Sequence, residues 1–204
     1  MTRAERLLWI ACAIAGLIAL VIAPLFLAIP GIHGCIPVPE HGALVSFELV
    51  RSPEAVEALF AEQCRASLMV AMRQSLWLDG LAFIPAYTAF FILLLLALRR
   101  HGAAIAWAGI AAVAAGALCD QYEGLMLHVI LADFPGDPDT FARLVPAVRG
   151  KFLALAIATA LAGWLLARRA GLDRALGRVA ALGGIVALAF VAGDRFVGVS
   201  LLGM

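Results

Sequence analysis

Charge is scarce in this chain. Only 14% of its 204 residues are Asp, Glu, Lys or Arg, against about 25% in an ordinary soluble domain. The 14 acidic and 15 basic side chains nearly cancel to a net charge of +1, so there is no basic field to draw nucleic acid. The four cysteines include no C-x-x-C pair, which removes the commonest zinc and dithiol frameworks and a quinone-linked disulfide oxidoreductase with them. Histidine is as rare, with four residues. His33, His41 and His101 fall in loops or at a helix end, so intramembrane haem pairs and multi-histidine di-iron centres lack ligands. No H-E-x-x-H, G-x-S-x-G or phosphate-loop pattern occurs.

Apolar residues are abundant, at 64% of the chain, where a soluble domain has about 45–50%. That excess belongs to a lipid-facing surface and predicts an all-α integral membrane bundle forming a single domain over residues 1–204. Crossing a bilayer takes about 20 helical residues. Five stretches qualify: about 7–29, 77–98, 103–131, 147–167 and 179–202. The fourth is the shortest, with its clearest apolar run from Phe152 to Ala167 and room to begin earlier, near Val145. Small-residue runs such as AGIAAVAAGA and ALGGIVALA suit close helix packing in lipid. The first stretch follows Arg3 and Arg6, but exceeds a signal-peptide core of about 7–15 residues and lacks a clean cleavage site. It reads as a retained helix.

Arginines set the expected orientation. Arg3 and Arg6, the Arg99-Arg100 turn and the Arg168, Arg169, Arg174, Arg178 loop are dense and short. Arg51, Arg65, Arg73, Arg143, Arg149 and Lys151 are spread over longer loops on the other side. The positive-inside rule then places the N-terminus in the cytoplasm and the C-terminus outside. The outer segment, residues 30–76, opens with ALVSFELV, whose β-branched alternation reads as extended. Ser52-Pro53 then starts an amphipathic helix, with Ser as N-cap and Pro at the first position. Val56, Leu59, Phe60, Ala66 and Val70 form its apolar face, and it can run into the second span with a bend at Asp79-Gly80. Cys35 and Cys64 share this segment and are either bridged or free; Cys12 and Cys119 lie within spans. Trp9 and Trp77 read as interface anchors and Pro85 as a helix kink.

The segments SLWLDGLAFIPAY (Ser75 to Tyr87), FELVRSPEAVEALF, GALCDQYEG (Gly116 to Gly124) and VRGKF (Val148 to Phe152) together resemble a family of uncharacterised small bacterial multi-pass inner-membrane proteins. There, a SLWLD-x-x-FIPAY segment opens one helix, an Asp-x-x-Glu motif lies in the next and Lys-Phe opens another. The resemblance covers roughly Val45 to Leu155 and implies a fold and an inner-membrane location, but no activity. The chain departs from the family at Gln121 to Gly124, where relatives read Glu-Asn after the Asp.

Charge at the centre of a bilayer costs about 2.5–3.5 kcal/mol per residue on insertion scales. The residues that need a reason are Asp79 in the second span, Asp120, Glu123 and His128 in the third, and Asp194 with Arg195 in the fifth; Tyr87 adds a hydroxyl. Arg195 is the only cation placed within a span. Asp120 and Glu123 are i,i+3 neighbours, and Gly116, Asp120, Gly124 and His128 form an i,i+4 line. Three helices thus bring ionisable groups to similar depth, and three readings stand. One is a structural salt-bridged network. Another is a polar pocket in the outer half of the bundle that binds, and transforms or moves, a lipophilic or amphipathic molecule. In that pocket Asp120 or Glu123 would act as acid or base, with Asp79, Tyr87, His128, Asp194 and Arg195 as ligand-binding groups. The third is a metal site of Asp79, Asp120, Glu123 and His128, without diagnostic spacing. The alternative to a binding function is a non-catalytic accessory or scaffold protein whose outer loop meets a partner. Membrane lipids are the expected surroundings, and the sequence assigns neither a cofactor nor a protein partner.

Overall fold

A computed structural model describes residues 2–33 and 42–192 of the chain. The described residues form helices and turns, with no strand among them. In order they are α1 (Arg3–Ile22), a 3₁₀ turn (Ala23–Ala28), α2 (Gly42–Glu48), α3 (Pro53–Leu59), α4 (Arg65–Leu78), a π-helical turn (Asp79–Phe83), α5 (Ile84–Leu98), a 3₁₀ turn (Arg99–His101), α6 (Ala103–Ala132), α7 (Pro138–Ala167) and α8 (Leu172–Ala192).

Local chemistry sets the ends of these helices. Thr2 and Glu5 cap α1 reciprocally: the Glu5 amide donates to Thr2 Oγ1 at 3.2 Å, and the Thr2 amide to Glu5 Oε2 at 2.9 Å, satisfying two amides that have no partner inside the helix. Ser52 Oγ accepts from the Ala55 amide at 3.3 Å, and Pro53 follows at the first position of α3. Asp137 caps α7 in the same way, accepting from the Thr140 amide at 2.9 Å and the Thr140 hydroxyl at 2.8 Å. Those two bonds, the hydroxyl's foremost, hold the Asp137 carboxyl below its usual range. Arg73 Nη2 donates to the Leu131 carbonyl at 3.2 Å, one of the carbonyls that the end of α6 leaves unpaired.

Among the described residues, four stretches are long and apolar enough to cross a membrane: Arg3–Ala28, Arg65–His101, Ala103–Ala132 and Pro138–Ala167. Each exceeds the about 20 residues required. Their large apolar side chains point outward to an extent that water would penalise. Leu20 and Leu81 are each 71% exposed and Leu118 is 72% exposed, as suits lipid. The chain is a multi-pass α-helical membrane protein.

The structure departs from the sequence expectations in four places. ALVSFELV is not extended: Gly42–Glu48 is helical, and the buried residues Ala43, Phe47 and Val50 follow i, i+4, i+7 spacing, a helical stripe that outweighs β-branched content. The amphipathic helix from Pro53 is two helices, broken between Leu59 and Arg65. The break resets the phase, so Val70 is exposed while Leu68, Ala71 and Met72 are buried. The helix holding the fourth span begins at Pro138, well before residue 147, because Asp137 caps it. Arg149 and Lys151 therefore lie inside that helix, and Arg195 is not the only cation within a span. Asp194 and Arg195 lie outside the described residues, as do Cys35 and the end of the fifth stretch. Cys64 is disulfide-bonded, whereas Cys12 and Cys119 are free thiols.

The chain packs as two compact units. The first comprises residues up to Leu17, Ala86–Leu118 and the chain from Arg149 onward; the second comprises Ile18–Pro85 and Cys119–Val148. In the first, Leu95, Leu98, Val113, Ala158 and Leu165 form an apolar core against which Trp9, Phe91 and Ile110 pack. Its α7 and α8 approach backbone to backbone. A Cβ on Gly163 or Gly177 would strike main-chain atoms of the facing helix, and one on Gly184 would lie 2.6 Å from the Ala160 amide nitrogen. Small residues allow this approach where lipid supplies no hydrophobic drive between helices. The turn joining the two helices passes through Gly171 at φ +65°, a left-handed conformation that glycine adopts without strain. In the second unit the rings of Phe47, Phe60 and Phe134 stack edge to face in sequence, at 5.2 and 5.7 Å. Arg65 lies over Phe134 at 4.9 Å and donates to the Phe60 carbonyl.

Two adjacent glycines of α8 test this packing. A Cβ on Gly183 meets nothing within 4 Å, whereas one on Gly184 meets backbone. Gly184→Ala is expected to destabilise by about 1–3 kcal/mol through overpacking. Gly183→Ala is expected to be neutral or to stabilise by up to about 1 kcal/mol through helix propensity. Thermal unfolding in mild detergent reads both, and equal effects would contradict the close approach.

Candidate functional site

The helix that carries SLWLDGLAFIPAY is continuous from Arg65 to His101 but changes register at its π turn. There the Ile84 amide donates to the Asp79 carbonyl five residues back. By the same register the Gly80 carbonyl would receive the amide of residue 85, which is proline and has no N–H. The α-register donor, Ile84, is already taken. Gly80 is left with an orphaned carbonyl, and Gln121 of α6 supplies the donor: its Nε2 sits 2.8 Å from Gly80 O. Re-satisfaction of a freed carbonyl by a neighbouring helix is what permits proline and glycine inside spanning helices.

Beside this bond is a cleft of about 280 Å³. On one side are Leu76, Trp77, Asp79, Gly80, Leu81 and Ile84; on the other are Asp120, Gln121, Gly124, Leu125 and His128. All belong to the second unit. The exposed side chains of Trp77, Leu81 and Leu125 are part of its lining, so it opens among apolar groups at the surface of this unit. Its volume is at the small end of ligand pockets, which run about 300–1,000 Å³. Asp79 and Leu76 also line a second cavity of about 330 Å³, with Phe26, Leu44, Glu48 and Ser75.

Helical spacing puts Asp120, Gly124 and His128 on one stripe of α6, at i, i+4 and i+8. Gly124 leaves open space where a side chain would stand. His128 Nδ1 lies 2.9 Å from the Gly124 carbonyl. A carbonyl only accepts, so Nδ1 carries the proton of this bond. Nε2 is closed off from solvent without a hydrogen-bond partner, and the Trp77 ring packs edge-on against the imidazole at 5.4 Å. Gly116, expected on the same line, packs against Leu155 of α7 and serves helix contact in the first unit.

The structure thus brings three of the seven expected residues to one place: Asp79, Asp120 and His128. Asp120 is 6% and Glu123 2% exposed. Glu123, sixty degrees around the helix from Asp120, is buried in the same unit without lining the cleft. Tyr87 is buried in the first unit, and Asp194 and Arg195 lie outside the described residues. Among the described residues no three His, Cys, Asp or Glu side chains are grouped to hold a metal ion. Sequence reasoning passed over Gln121 as a site residue, although a Gln facing a Gly-x-x-x-x-Pro segment is the signal for such a bond. It also placed Lys151 in a loop, whereas Lys151 is 6% exposed, with its Nζ 4.9 Å over the Phe152 ring.

No family model, curated protein or solved structure matches this chain.

Gln121→Leu is expected to cost about 1–3 kcal/mol by leaving the Gly80 carbonyl unsatisfied. Pro85→Ala restores an N–H that can reach it, so the double variant should lose less than the two single losses together. A double-mutant cycle from unfolding in detergent reads this coupling. Additive losses would mean that Gln121 and Pro85 do not share the Gly80 carbonyl.

Proposed function

We propose that this protein is a five-span bacterial inner-membrane protein, with its N-terminus in the cytoplasm, that binds a lipophilic or amphipathic molecule at the acidic cleft between Asp79 and Asp120. The observation that carries the reading is a small, apolar-walled cleft that opens among exposed apolar side chains and has two carboxylates in its lining. Pockets of this composition take ligands whose few polar atoms fix orientation while the walls supply affinity. A cleft of about 280 Å³ takes a head group and the first part of a chain, and leaves the remainder along the exposed flank of Leu81 and Leu125.

The two segments that carry most of the family resemblance face each other across this cleft. Leu76, Trp77, Asp79 and Ile84 come from SLWLDGLAFIPAY, and Asp120, Gln121 and Gly124 from GALCDQYEG. The cleft is, in this reading, what members of such a family would share. In this reading Asp79 and Asp120 accept hydrogen bonds from the head group. Should the bound molecule be transformed as well as held, proton transfer falls to Asp120, because Glu123 does not line the cleft. The scaffold alternative predicts that filling the cleft changes nothing.

Gly124→Leu fills the cleft from a position where an added Cβ meets no atom within 4 Å, so the fold is expected to survive. Wild-type protein purified in mild detergent should retain a lipophilic molecule detectable by mass spectrometry of an organic extract, and Gly124→Leu should lose most of it at unchanged thermal stability. Retention of nothing by the wild type, or equal retention by both, would overturn the binding reading.

Orientation is tested separately. A cysteine at position 172 (Leu172→Cys), in a background without other reactive thiols, should react with a membrane-impermeant maleimide only after cells are opened. Labelling from the periplasmic side of intact cells would reverse the proposed topology.

A further inference from the structure

The first unit holds a second feature, independent of the cleft. Three segments rich in arginine meet at one of its ends. Arg100 of the turn after α5 pairs with Glu5 of α1 at 3.0 Å. Arg168, after α7, donates to the His101 carbonyl at 2.7 Å. Arg169 lies over the Trp9 ring at 4.9 Å. The two carboxylates of these segments are both engaged, Glu5 by Arg100 and Asp173 by Arg169 at 3.1 Å. Arg3, Arg6 and Arg99 remain exposed, and their guanidinium groups make no hydrogen bond or ion pair among the described residues.

What surrounds these arginines distinguishes them from an ordinary charged loop. Arg168 lies 5.6 Å over the ring of Trp164, and both tryptophans that carry an arginine belong to helices long enough to span. Trp rings gather at the depth of lipid head groups. Leu7 and Ile10, at 59% and 48% exposure, continue away from the arginines along α1. Cationic heads, aromatic rings and an outward apolar stripe follow one another in the order that an anionic phospholipid presents phosphate, glycerol and acyl chain. Guanidinium also offers several N–H donors to a phosphate where ammonium acts as a point charge.

We infer that this end of the first unit binds the phosphodiester head group of an anionic phospholipid, with Arg3, Arg6, Arg99 and Arg168 as donors and the Leu7 and Ile10 stripe along its acyl chains. A lipid is favoured over a soluble phosphate or a nucleic acid because the apolar stripe has a role only for a lipid. The site is separate from the cleft and stands whether or not the cleft binds anything.

The test compares dioleoylphosphatidylglycerol with dioleoylphosphatidylcholine, added to the full chain in mixed micelles and read by native mass spectrometry. Wild type should retain the phosphatidylglycerol preferentially. Arg3→Gln with Arg99→Gln should weaken that preference by about fivefold for each arginine removed. Neither side chain makes a hydrogen bond or ion pair among the described residues, so folding should be unaffected; if the pair fails to fold, Arg6→Gln alone reads the same effect. Arg143→Gln removes an exposed arginine of the second unit and should leave the preference intact. Equal retention of the two lipids would overturn the inference, as would an equal loss in Arg143→Gln. Displacement of the lipid by millimolar glycerol phosphate would overturn it too, by showing a site for soluble phosphate.

Discussion

A backbone carbonyl without a donor costs several kcal/mol in hydrocarbon, and in this chain that constraint concentrates at Gly80. Pro85 withholds the amide that the π register would aim at this carbonyl, and Ile84 has already given its amide to Asp79. The Gln121 side chain closes the gap at 2.8 Å. One polar side chain thereby fixes where α6 meets the long helix in the second unit. Asp120 is its immediate neighbour in sequence, and Asp79 is the immediate neighbour of the carbonyl it satisfies.

The π turn also gives the cleft its room. Widening a helix by one residue per turn displaces the side chains on either side of the insertion, and such turns recur at functional sites for that reason. Here Leu76, Asp79 and Ile84 are spread along one wall, and Gly124 leaves the facing wall without a side chain. The Nδ1 bond from His128 to the Gly124 carbonyl then holds the imidazole ring in one orientation beside the cleft. Polar groups buried at membrane depth are expensive unless they serve packing or a ligand. In the second unit they sit on helices that also carry a cavity.

The first unit is organised by a different rule. Its α7 and α8 meet through Gly163, Gly177 and Gly184, where a side chain would collide with the facing backbone. Contact there depends on shape, because lipid is as apolar as the helices it surrounds. Arginines gather at one end, where Arg169 lies over Trp9 and Arg168 over Trp164. This is the arrangement expected of a surface meeting lipid head groups.

Several features that depend on neighbours in sequence were legible from the sequence. The apolar lengths give the four stretches long enough to span, Ser52-Pro53 gives the start of α3, and the i,i+4 line of Asp120, Gly124 and His128 gives one wall of the cleft. Interactions between residues close in sequence fix each of these, and periodicity records them directly. The tertiary structure alone decided the rest. It made α2 a helix, because the stripe of Ala43, Phe47 and Val50 has a core to enter. It placed Asp79 in the cleft and left Glu123 outside it, although both looked equally eligible on spacing. It gave Gln121 its role through a bond between residues 41 apart in sequence. No local pattern encodes such a bond, because its acceptor exists only once Pro85 and the π register have removed the ordinary donor and a second helix stands within reach.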